Sequence, residues 1–170
     1  IISPLSGDAL DQKNVEIGKD FGFWYMPTWA GVNVQTGAPE WYKNGVDGER
    51  TSNYAEAQRT YQGSAIPKYT GGVSTHIEYK GLFLDASVYF SGGNKVYEDI
   101  ARLYMRTNDF TLARFNGSDE LLNAWRQPGD VTNVPKLVFG ETNNFDQESS
   151  RHLYDGTFAR LRDVTLGYNL

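Results

Sequence analysis

Apolar and polar side chains alternate over two long runs between Lys68 and Ser91, KYTGGVSTHIEYKGLFLDASVYFS, with only Lys80-Gly81 between them. That spacing predicts a tight β-hairpin with strands at 68–79 and 82–91. Pairing across the turn sets Tyr79 opposite Leu82, Ile77 opposite Leu84, Thr75 opposite Ala86, Val73 opposite Val88 and Gly71 opposite Phe90 on one face. The other face takes Glu78 opposite Phe83, His76 opposite Asp85, Ser74 opposite Ser87 and Gly72 opposite Tyr89. Each strand has about ten residues, the length that crosses a bilayer when tilted by roughly 45°. One apolar and one wet face over that length predict the wall of a transmembrane β-barrel. Val73, Ile77, Leu84 and Val88 then face lipid, and His76, Glu78, Asp85 and Ser87 face the lumen.

Elsewhere the pattern is weaker. Residues 1–16 are polar and rich in turn formers, so a loop is expected. Phe21–Val32 is aromatic and extended, and Pro27 within it demands an edge or a bulge. Asn33–Gly37 reads as a compact turn, Ala38–Asn44 as a short strand and Gly45–Pro67 as a polar loop. A long irregular stretch, 93–155, follows, with a helical turn or two expected at Val96–Arg106. Ser118, followed by Asp119 and Glu120, predicts a short capped helix running to Trp125 and stopped by Pro128-Gly129. The chain closes on a strand-like segment, 156–170, with Val164, Leu166, Tyr168 and Leu170 on its lipid-facing parity. Arg160 and Arg162 fall on that same parity, so either a bulge intervenes or that end stands above the membrane. Short turns at 33–37 and 80–81 and long loops at 45–67 and 93–155 suggest periplasmic and extracellular ends respectively.

Composition adjusts this picture without deciding it. No run approaches the roughly 18 apolar residues of a membrane-spanning helix, but barrel strands leave little hydropathy signal. Aromatic residues make up 14% of the 170 residues, as interface girdles require, yet a sugar-binding sandwich also uses them. Cysteine is absent, which removes disulfide frameworks and thiolate metal sites. A net charge of −5 with scattered Lys and Arg argues against a nucleic-acid partner. The first residue is Ile1 and the last, Leu170, falls within a strand-like pattern, so a piece of something longer is expected.

Candidate chemistry is sparse. His76 and Asp85 face each other as a cross-strand hydrogen bond on a wet wall, or as a ligand-contacting pair. Glu78 and Asp85 are diagonal neighbours, but the sequence offers no apolar pocket of the kind a glycosidase pair needs. No enzymatic activity is expected. Asp47, Glu49, Asp146 and Glu148 lie in polar loops where calcium can bind, although none fits an EF-hand spacing; no other cofactor is expected. Trp24, Tyr25, Trp29, Trp41 and Tyr42 read as an interface girdle or as sugar-stacking platforms. Arg160 and Arg162 read as anchors pairing with Asp155 or Asp163, or as contacts for an acidic ligand.

Five segments together resemble SusC/RagA-type TonB-dependent outer-membrane transporters. They are IGKDFGFWYMPTWAGVNVQTGAPEWY (17–42), GSAIPKYTGG (63–72), EYKGL (78–82), WRQPGD (125–130) and YDGTFARLRDVTLGY (154–168). They stand in the family's order; the departures are Leu82 for the commoner Phe and Asn33 for the usual Asp. The resemblance implies an all-β fold: antiparallel strands forming part of a transmembrane barrel, with long extracellular loops. Residues 1–170 would be the C-terminal part of that barrel, without its plug domain and final strands. It further implies an outer-membrane location in a Gram-negative bacterium and active import of oligosaccharides or peptides. The implied partners are a SusD-like surface lipoprotein acting as a lid and the TonB complex, reached through the absent plug. Tyr104, Phe115, Trp125 and Arg126 are the expected contacts for substrate or lid. The competing expectation is a soluble, secreted carbohydrate-binding β-sandwich, in which a second sheet would cover the apolar face of 68–91.

Overall fold

The structure is a computed structural model that describes residues 13–14, 17–100, 102, 117–138 and 146–169. In chain order its strands are β1 (Lys13–Asn14), β2 (Phe23–Pro27), β3 (Trp29–Val32), β4 (Pro39–Tyr42), β5 (Arg50–Thr51), β6 (Arg59–Gly63), β7 (Tyr69–Tyr79), β8 (Leu82–Gly92), β9 (Lys95–Tyr97), β10 (Leu153–Asp155) and β11 (Phe158–Tyr168). Four sheets result, ordered β1-β2-β6, β3-β4-β5, β9-β10 and β11-β8-β7. The chain is all-β and antiparallel, with open-edged sheets. It divides into two compact units: Ile1–Gln62 with Tyr97–Leu153, and Gly63–Val96 with Tyr154–Leu170.

The first unit is built on aromatic packing. Pro27 ends β2 and the extended run resumes after Thr28 as β3, whose ladder with β4 is itself irregular between Trp29 and Gly31. This is the interruption that Pro27 requires. Phe23, Met26 and Trp41 are fully enclosed. Trp41 is wedged edge-on between Trp29, at 5.8 Å, and Tyr54, at 5.2 Å. Trp24 lies 5.6 Å from Tyr97. Trp24 and Trp41 are therefore core residues, neither girdle nor sugar platforms, because side chains from both faces of these short strands are covered. Burial also pushes the Tyr54 hydroxyl up to about 12, while it donates a 2.7 Å hydrogen bond to the Glu148 carbonyl.

Segment 45–67 is more ordered than its polarity suggests. It contains β5, a 3-10 turn at Tyr54–Glu56 capped by Asn53, and β6. β6 lacks apolar alternation because Thr60 and Gln62 are satisfied by polar partners. Gln62 Nε2 donates to Thr28 Oγ1 at 2.6 Å and to the Met26 carbonyl at 3.3 Å. The expected helix after Ser118 is a 3-10 helix at Asp119–Asn123, and Ser118 does cap it by accepting from the Glu120 N–H. Val96–Arg106 is divided: β9 takes Val96 and Tyr97, and one helical bond joins the Arg102 N–H to the Glu98 carbonyl at 3.3 Å.

The turn at 33–37 closes on Asn33, whose side chain accepts from the Gln35 and Thr36 N–H groups at 2.9 and 3.0 Å. Segment 117–138 docks against it. Trp125 Nε1 donates to the Val34 carbonyl at 3.0 Å. The Gly129 N–H reaches the same carbonyl, and the Lys136 N–H reaches that of Gly37, both at 2.9 Å. Turn 33–37 and loop 93–155 therefore cannot face opposite sides of a membrane, and the periplasmic assignment of that turn is corrected. Gly37 is required twice here: its φ is +74°, and a Cβ would lie 2.4 Å from the Trp125 ring.

Substituting Gly37→Ala in the intact parent protein should cost about 1–3 kcal/mol locally. It should speed proteolytic nicking within 117–138, and Trp125→Ala should do the same without adding to it, since one contact is lost in either case. Nicking at the parental rate in Gly37→Ala would contradict the docking.

Candidate functional site

The second unit holds the sheet β11-β8-β7. Lys80 and Gly81 carry φ of 50° and 83°, the two positive values of the tight hairpin turn. From there the β7–β8 ladder runs unbroken in the register expected from the sequence, Tyr79 against Leu82 through Gly71 against Phe90, and two pairs further to Tyr69 against Gly92. β7, β8 and β11 each have 11 residues. At about 3.4 Å per residue, tilted by roughly 45°, such strands rise about 25 Å, the height of a barrel's apolar band.

β11 answers the problem posed by its arginines. Its ladder with β8 slips between Leu161 and Asp163, so Arg162 is the extra residue of a bulge. On one side of the bulge Val164, Leu166 and Tyr168 oppose Ala86, Leu84 and Leu82. On the other, Leu161 opposes Val88 and Ala159 opposes Phe90. The apolar face is thus continuous across the slip, and Arg160, opposite Tyr89, lies on the polar face. Were Arg162 paired in an unbulged ladder, Arg160 would lie among the apolar ones.

Among the described residues no second sheet covers the apolar face. Val73 is 65% exposed, Ile77 57%, Val164 54% and Leu166 68%, while Leu84 is half-buried. The covered face that a soluble sandwich requires is missing among these residues. Across the polar face, His76 Nδ1 and Asp85 Oδ1 are 2.6 Å apart, and His76 Nε2 lies 3.7 Å from Glu78. The imidazole stacks on Phe83 at 6.2 Å. Ser87 donates to Asp163 on β11. Glu78 and Asp85 are both engaged by His76 and open to solvent, an arrangement suited to a hydrated wall.

Two further features were hidden in the sequence. Asp163 is the partner of Ser87, and the Arg162 guanidinium lies 5.1 Å from the Tyr89 ring centre. Each depends on the bulge, whose only sequence signal is the break in parity at Arg160 and Arg162. The expected pairing of these arginines with Asp155 or Asp163 is not what the structure shows. Asp163 takes the Ser87 hydroxyl, and Asp155 accepts from the Thr157 N–H at 2.9 Å. The Thr157 hydroxyl and N–H hold the Asp155 carboxyl below the usual carboxylate range.

Of the loop residues, Trp125 is buried against the turn at 33–37, and Arg126 donates to the Leu122 carbonyl at 3.0 Å. Tyr104 and Phe115 lie outside the described residues. Glu49 pairs with Lys43 at 3.0 Å and Glu148 with Arg59 at 3.6 Å. Among the described residues no three His, Asp or Glu side chains gather where they could hold a metal.

An antiparallel sheet of membrane-length strands with one apolar and one polar face has the character of an outer-membrane barrel wall. No family model matches the chain. It is 29% identical over 115 residues to TonB-dependent receptor P39 of Formosa agariphila, covering 68% of this chain and 11% of that protein. To TonB-dependent receptor P3 of the same organism it is 26% identical over 165 residues, covering 91% and 15%. The solved structure of the RagAB peptide transporter superposes with a TM-score of 0.73 at 31% identity, over 86% of this chain and 16% of that one. The RagAB peptide importer in its closed-closed state gives a TM-score of 0.72 at 29% identity, over 92% and 18%. Sequence and fold agree that this chain is a barrel segment of the SusC/RagA type of TonB-dependent transporter. It spans about a tenth to a sixth of the length of these curated relatives.

Deleting Arg162 from the parent protein would remove the bulge and leave Arg160 on the polar face, because Asp163 would then follow Leu161 in regular alternation. Leu161→Arg, by contrast, puts a charge on the apolar face opposite Val88. Arg on a lipid-facing position costs roughly 2–4 kcal/mol near the midplane and less toward the interface. Reduced yield of the compact, heat-modifiable barrel is expected on gel electrophoresis for Leu161→Arg, whereas the Arg162 deletion should assemble normally. Equal assembly of both would contradict the register across the bulge.

Proposed function

We propose that this chain forms wall strands and external loops of a TonB-dependent active importer in the outer membrane of a Gram-negative bacterium. The observation that carries the reading is the exposed apolar face of β7, β8 and β11, backed by a polar face and continuous across the bulge in β11. Val73, Ile77, Leu84, Val88, Val164, Leu166 and Tyr168 meet lipid; His76, Glu78, Asp85 and Ser87 line the lumen. The names of the relatives support import driven through TonB, and the two-component naming of RagAB supports a SusD-like surface lipoprotein as partner. The imported solute is an oligosaccharide or a peptide. It binds between lipoprotein and external loops and passes when the plug, outside this chain, is displaced.

In the loops, Arg126 is the contact for solute or lid that the surface leaves open, with Tyr104 and Phe115 as further contacts. Trp125 acts by fixing segment 117–138 on the turn at 33–37. The protein is a transporter and carries no catalytic group in this reading.

A pair of adjacent substitutions tests the faces. Val88→Arg in the parent should impair insertion by roughly 2–4 kcal/mol, seen as loss of folded barrel from the outer-membrane fraction. Ser87→Arg should be tolerated, since it enters the wet side beside Asp163 and Asp85. Similar losses in both would reject the assignment.

A further inference from the structure

The polar face of β11 carries two guanidinium groups with no ion-pair partner among the described residues, and both lie over aromatic rings. The Arg160 guanidinium carbon lies 5.5 Å from the Phe158 ring centre, and that of Arg162 lies 5.1 Å from Tyr89. The two rings are 5.9 Å apart, tilted by 49°. Arg160, Phe158, Tyr89 and Arg162 thus form one shelf across two paired strands.

Three physical points bear on what the shelf does. A guanidinium over a ring face retains N–H donors that the ring does not use, and its planar fork can grip a carboxylate bidentately. The acids nearest in sequence are already engaged, Asp163 by Ser87 and Asp155 by Thr157, as is Asp85 on the paired strand, by His76. The bulge at Arg162 brings both arginines to the polar face, where a regular strand would have placed them on the other.

We propose that Arg160 and Arg162 form a carboxylate-binding subsite on the lumen wall, taking an anionic group of the imported solute. The proposal rests on the reading that this face is the lumen. The carboxylate has two possible sources, a peptide (its C-terminus or an acidic side chain) or a uronate unit of an oligosaccharide; the subsite serves the chemistry they share.

The test uses detergent-solubilised parent protein and Arg160→Gln/Arg162→Gln, both confirmed as folded barrels. Isothermal titration calorimetry is run with a short acidic peptide, its neutral amidated counterpart, a uronate oligosaccharide and its neutral counterpart. The parent should prefer one carboxylate ligand over its neutral counterpart, and which one identifies the source. The double variant should bind that ligand at least tenfold more weakly, with neutral ligands unaffected, as expected for lost charge-assisted hydrogen bonds. No preference in the parent, or an undiminished one in the variant, overturns the subsite while leaving the lumen assignment standing. Failure of the Val88→Arg and Ser87→Arg contrast overturns the lumen assignment and the subsite with it.

Discussion

β8 is hydrogen-bonded along its length between β7 and β11, and that pairing fixes which way every side chain of the sheet points. With the backbone groups of the central strand satisfied by its neighbours, successive residues have only two directions available. A slip of one residue would exchange the faces entirely. The chain meets this constraint at two points along β8, its hairpin end and its middle. A turn with two positive φ angles sets the register with β7, and a single extra residue corrects the register with β11. The apolar face, the His76–Asp85 contact and the Ser87–Asp163 hydrogen bond all follow from those two devices.

The hairpin was legible because its information is local. Alternation and a two-residue turn specify each pair, and the observed ladder matches pair by pair from Tyr79–Leu82 to Gly71–Phe90. β11 was half legible: Arg160 and Arg162 signalled a defect, but only pairing with β8 decides between a bulge and a strand leaving the membrane. The stacked arginines were beyond reach, since Tyr89 and Arg162 are distant in sequence and meet only across the slipped ladder.

The first unit shows the opposite limit. Its aromatics read as an interface girdle or sugar-stacking platforms, and the structure buries Trp24 and Trp41 in a local core. Amphipathic rings suit a bilayer interface and a compact loop assembly equally well, so composition could not separate them. β6 was missed for a related reason: Thr60 and Gln62 make it look like a loop, while their hydrogen bonds to Thr28 and the Met26 carbonyl hold it in place. Trp125 also changed meaning. Its indole N–H, bonded to the Val34 carbonyl, anchors a long segment, and an aromatic in a polar loop gives no sign of whether it faces in or out.

The claim that carries the account is that the two faces of β8 meet different solvents. The direct measurement places single cysteines in turn from Leu82 to Phe90 in the parent protein, labels each with a fluorophore and records quenching by nitroxide-bearing lipid. The account predicts strong quenching at Leu82, Leu84, Ala86, Val88 and Phe90 and weak quenching at Phe83, Asp85, Ser87 and Tyr89. Uniform quenching, or maxima at the second set, would contradict it.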